Sequence, residues 1–61
     1  MTPYIINCIS RILMAPCAPQ MFQQRSIDLA EAIRLASDEG LEKAHQYLGD
    51  MVTKAEQGTY K

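Results

Sequence analysis

Between Tyr4 and Met14 the chain sets Tyr4, Ile5, Ile6, Ile9, Ile12, Leu13 and Met14 around a single charge, Arg11, in a protein of only 61 residues. That concentration of apolar side chains constrains the fold more than any other feature. A chain this short buries a small fraction of its surface, and small domains usually lean on disulfides, a metal or a partner subunit. The remaining two thirds already hold an apolar seam of their own, so the first segment is a surplus. It predicts association, with a second copy or with another protein.

The surplus has a helical period. Thr2 followed by Pro3 reads as an N-cap and first helical position, since proline lacks only an amide that a helix start leaves unpaired. At 100° per residue Ile5, Ile9, Ile12 and Leu13 fall on one side with Cys8 and Ile6 flanking, and Asn7, Ser10 and Arg11 fall on the other. The alternative is a strand, because residues 4–9 are rich in β-formers. Strict alternation fails there, which favours an amphipathic helix within residues 1–14. Residues 15–20 follow as a linker, in which Pro16 and Pro19 remove backbone donors and push their predecessors towards extended geometry. The first helix is thereby uncoupled in direction from the body, free to fold back or to reach a neighbour.

A second helix starts between Pro19 and Ser26 and stops at Gly40, a residue suited to the left-handed conformation after a helix end. Its expected core stripe is Phe22, Leu29, Ile33 and Ala36, with Ala32 beside it. Ile27 and Leu35 lie near the opposite side, flanking Glu31, and suggest a second contact surface. A third helix runs from Leu41 to Gln57, closed by Gly58. Its seam of Leu41, Ala44, Leu48, Met51 and Ala55 is widened by Tyr47 and Val52. Gly49 lies off that seam and costs about 1 kcal/mol relative to alanine. The short Asp38–Glu39–Gly40 connection predicts an antiparallel hairpin over residues 21–58, leaving residues 59–61 as a tail. The fold class is therefore all-α: an amphipathic N-terminal helix, a proline-rich linker and a two-helix hairpin, completed by oligomerisation, with a twofold dimer the expected form.

Few chemistries survive inspection of the side chains. Residues 1–25 carry +2 and residues 26–61 carry −3, so the clustered Lys and Arg of a nucleic-acid-binding surface are missing. Cys8 and Cys17 lack C-x-x-C spacing and His45 stands alone, which argues against zinc and any other metal. The two cysteines read as reduced thiols of a cytoplasmic protein, a disulfide being the alternative. Glu31, Asp38, Glu39 and Glu42 gather around the second turn, where surface charge at helix ends is ordinary. No Gly-rich phosphate loop occurs, and a cysteine nucleophile working with His45 would lack a supporting third group and a pocket-sized scaffold, so neither a cofactor nor catalysis is expected. A helix-turn-helix reading fails because Gln46 and Gly49 occupy positions that motif would bury.

Targeting signals are absent from the reading as well. No basic residue precedes the apolar stretch, Asn7, Ser10 and Arg11 interrupt it, and Pro16 spoils the faint lipoprotein box at residues 13–17. The run is also shorter than the roughly 20 residues of a bilayer span.

What remains is binding through apolar helical surface. Ile5, Ile9 and Ile12, with Leu13, have the spacing of helix-in-groove anchors, and Ile27 with Leu35 form the second expected contact. The chain is expected to be a non-enzymatic protein-interaction protein, a stoichiometric regulator or inhibitor that masks a partner's surface. Its size and two-part layout resemble in style the small regulators of phages and mobile elements, antirepressors among them. One alternative makes the first helix an interfacial membrane anchor, although Arg11 is a meagre polar face for that purpose. Another lets the first helix complete a three-helix core, received by Ile27 and Leu35.

Overall fold

A computed structural model describes residues 2–61, and among them the chain forms three α-helices and no strand. Helix α1 (Pro3–Met14) begins as its sequence requires. Thr2 is extended, and its Oγ1 accepts the Ile5 amide at 3.1 Å. Ala15 ends the helix in extended geometry just before Pro16. A short 3-10 turn, Pro19–Met21, then leads into α2 (Phe22–Asp38). Gly40, at φ 100°, turns the chain and starts α3 (Leu41–Glu56), its amide bonded to the Leu35 carbonyl at 3.0 Å. Gly58, at φ 97°, ends the last helix.

Helix α3 is the spine. Both α1 and α2 pack along it and scarcely touch each other. Its seam is the one its sequence spells out: Ala44, Leu48, Met51, Val52 and Ala55 are all buried. Leu41, at the start of that seam, is about half exposed. Against this spine α1 sets Ile5, Cys8 and Ile12, while α2 sets only Ala32 in a fully buried position. Alanines at Ala32, Ala44 and Ala55 leave room for close approach of helix axes.

The first helix therefore folds back instead of reaching outward. It lies on α3, with Thr2 and Tyr4 beside His45 and Arg11 beside Glu56, and it does not dock on Ile27 or Leu35. The closing residues are structural too. Tyr60, inside the expected tail, is only 4% exposed; its hydroxyl donates to Asp28 of α2, and its carbonyl accepts the Ala18 amide at 2.8 Å. One aromatic residue thus ties the chain's end to the linker and to the start of α2. The accessible surface, 4062 Å², is close to the ~4000 Å² that size scaling gives for a folded monomer of this mass.

Candidate functional site

Two helices resting on a third leave a furrow where they diverge. At 100° per residue, Ile5, Cys8 and Ile12 of α1 define the side turned to α3, and Ile9, Leu13 and Ile6 lie progressively round towards α2. On α2 the buried Ala32 defines the side turned to α3. Phe22, Leu29, Ile33 and Ala36 lie on the flank facing α1. Between these flanks opens a groove of about 160 Å³. Ile5 and Ile9 line one wall, Ile33 and Ala36 the other, Leu48 the floor and Leu41 an end. Among the described residues Ser37 is the one polar residue lining it. Ile33, 57% exposed, stands on the rim with more than half its surface in water.

The expected contact residues divide between core and surface. Ile5 and Ile12, read as interface anchors, are 7% and 1% exposed, so this chain's own α3 consumes them. The physical reason is that α3's seam is wider than α2 alone can cover, and α1 supplies the missing apolar layer. Ile9 is half-buried and lines the groove, whereas Leu13 is about half exposed. Ile27, 53% exposed, and the half-buried Leu35 do not form a receptor for α1. Phe22 and Ile33, expected at the α2–α3 seam, are instead half in solvent. Alternating spacing revealed the stripe on α2 but not its rotation about the helix axis. The small side chain at Ala32, closest to α3, was the available signal.

The polar groups hold the scaffold together around this groove. On the far flank of α1, the Arg11 guanidinium binds both oxygens of Glu56, at 3.1 and 2.7 Å. Thr2 Oγ1 lies 3.1 Å from His45 Nε2, and the Tyr4 and His45 rings meet at a centroid distance of 4.7 Å. Tyr4 Oη also sits over Gly49, where an added Cβ would approach it to 2.9 Å. Three of the four carboxylates of the second turn are engaged as well: Arg34 reaches Glu31 at 2.7 Å, Asp38 at 3.4 Å and Glu39 at 3.5 Å. Its hydrogen bonds hold Glu31 below the usual carboxylate range.

A second hollow, of about 220 Å³, lies between α2 and α3 and mixes Asp28, Asp50, Lys54 and Tyr47 around Tyr60. Burial, reinforced by the hydrogen bond to Asp28, pushes the Tyr60 phenol well above its ordinary range. Burial acts on Tyr47 in the same direction. Cys8 and Cys17 are free thiols, the first buried and the second packed against the core. Among the described residues no helix is long and apolar enough to cross a membrane. No protein-family model, no characterised protein and no solved structure matches this chain.

Proposed function

We propose that this chain is a non-enzymatic protein-interaction protein that acts stoichiometrically, with α2 as its contact helix. One observation carries the reading. Across 17 residues α2 buries only Ala32 fully and sets Leu29 half-buried against the core, while Phe22, Ile27 and Ile33 each remain about half exposed. A helix with that many large apolar residues turned outward gains little from its own fold and much from a partner. The groove beside it supports the same reading, since 160 Å³ falls below the roughly 300–1,000 Å³ of small-molecule sites. That volume suits one or two aliphatic side chains of a protein partner. In this reading α2 and α3 form the antiparallel hairpin, α1 braces it from within, and regulation follows from covering another protein's surface.

Native mass spectrometry of the protein isolated from cells that produce it tests this reading. The expected spectrum contains species heavier than the 6.9 kDa chain, and Ile33→Asp or Ile27→Asp depletes them while leaving the helical circular dichroism intact. A wild-type protein found only at the single-chain mass, at every concentration, contradicts it.

A further inference from the structure

The hollow between α2 and α3 holds a carboxylate that lacks a counter-charge. Among the described residues the half-buried acids are Asp28 and Glu31. Arg34 neutralises Glu31 at 2.7 Å. Asp28 takes only neutral donors, the Gln24 amide at 3.0 Å and the Tyr60 hydroxyl, and among the described residues no cation pairs with it. Two hydrogen bonds thus fix this carboxylate in place and leave its charge unmatched. A half-buried charge is costly until an opposite charge meets it.

The opposite wall adds to the demand. Asp50, exposed on α3, also lines the hollow and forms no ion pair among the described residues. Lys54, one turn further along α3, is the one cation in the described lining. It reaches neither aspartate within ion-pair distance, and the lining carries a net −1. The remaining walls are the Tyr47 and Tyr60 rings and Met51. Burial first, and Asp28 second, push both phenols up, so at neutral pH the rings are uncharged.

Two carboxylates fall short of the roughly six oxygens that a hard metal ion collects. A guanidinium fits better: it is planar, weakly hydrated, rich in donors, and stacks on aromatic faces. At about 220 Å³ the hollow lies below the roughly 300–1,000 Å³ of small-molecule sites, a size for one long side chain. We infer that it receives an arginine side chain of a partner protein, with the guanidinium between Asp28 and Asp50 and the stem against Met51 and the two tyrosine rings. The inference rests on the reading of α2 as the contact helix. Ile27 stands on this same flank of α2, directly before Asp28, so a partner seated on Ile27 passes the mouth of the hollow.

Nitrogen-15 correlation spectra of the purified full chain at low salt, titrated with arginine capped at both ends, test it. Capped citrulline, uncharged and nearly the same shape, is the control. Saturable shifts at Tyr47, Asp50 and Met51 are expected with arginine, and binding at least about tenfold weaker with citrulline. Two exposed substitutions then move the affinity in opposite directions. Asp50→Asn weakens it by about tenfold, and Lys54→Gln tightens it by removing the competing cation. No saturable shift, equal binding of citrulline, or loss of binding in Lys54→Gln overturns the inference. Free L-arginine binding more tightly than the capped form also overturns it, because Lys54 would then be reading a free carboxylate. Native mass spectrometry judges the underlying reading separately. Heavier species without arginine binding remove the inference and leave the reading standing; a chain found only at its single mass removes both.

Discussion

Helices α1 and α2 rest on the same spine, yet they are held there in different ways. The shorter, α1, has 12 residues and commits Ile5, Cys8 and Ile12 to α3. The longer, α2, has 17 residues and buries only Ala32 fully. Its attachment relies on close approach through that small side chain, on the half-buried Leu29 against the core, on the two-residue connection through Gly40 and on the Tyr60–Asp28 clasp. The helix with the more apolar sequence thus spends three side chains on α3 and still leaves Tyr4, Ile6, Leu13 and Met14 about half exposed or more. The more polar helix keeps Phe22, Ile27 and Ile33 about half exposed. Apolar content identifies helices that need burial, but only the packing says which ones still lack it.

The comparison breaks or sharpens most sharply at paired truncations. Ile12→Ala, at a 1% exposed site, is expected to cost about 2–5 kcal/mol, the range for emptying a buried isoleucine site. Ile33→Ala, measured at a dilution that favours the monomer, is expected to cost less than about 0.5 kcal/mol, as surface substitutions do. Urea titrations of the two variants check this. Equal losses would mean that α2 is packed as α1 is.

The clasp on α2 comes next. Tyr60→Phe removes the hydroxyl that donates to Asp28 and is expected to cost about 1.5–3 kcal/mol, the value of a hydrogen bond to a charged group. It also changes the alkaline limb of stability. The Tyr60 phenol titrates above its ordinary 10.0 in the folded chain. The unfolded chain therefore releases its proton first, and the stabilisation is complete below about pH 10 and declines as pH rises through the folded value. The Tyr60→Phe variant should show a shallower decline, with the remainder reflecting Tyr47 and Tyr4, which are shifted the same way. Thermal melts between pH 8 and pH 11 measure it, and an unchanged slope would show that the clasp does not hold the phenol's proton.

Smaller effects test how α1 is seated. Thr2→Ala deletes the cap on the Ile5 amide and the contact to His45, for an expected loss of about 1 kcal/mol. Gly49→Ala gains helix propensity of up to ~1 kcal/mol, but its new methyl would meet Tyr4 Oη, 2.9 Å away. The net change is expected to stay under about 0.5 kcal/mol, with the fuller gain recovered on a Tyr4→Ala background. A double-mutant cycle in urea reads that coupling, and strict additivity would show that Tyr4 does not lie over Gly49.

Much of this architecture is legible in the residues. Thr2–Pro3, Gly40 and Gly58 mark helix boundaries through local backbone chemistry, and the α3 seam follows from unbroken spacing. Local rules do not set how far a helix is rotated about its axis. For that reason Ile33 and Phe22 read as seam residues although they flank an open groove, and Ile5 and Ile12 read as free anchors although α3 takes them. Tyr60 was hidden for a different reason. Its partners, Ala18 and Asp28, are distant in sequence, and no periodicity connects them.

The six isoleucines, Ile5, Ile6, Ile9, Ile12, Ile27 and Ile33, sample both sides of the comparison. Methyl-labelled spectra recorded with a soluble paramagnetic agent, over a protein concentration series, read all of them together. The account predicts that Ile5 and Ile12 stay protected throughout and that Ile27 stays broadened throughout. Ile33 should be broadened in the dilute chain, as Ile27 is. Broadened Ile12 at any concentration, or an Ile33 protected as Ile12 is in the dilute chain, would contradict it.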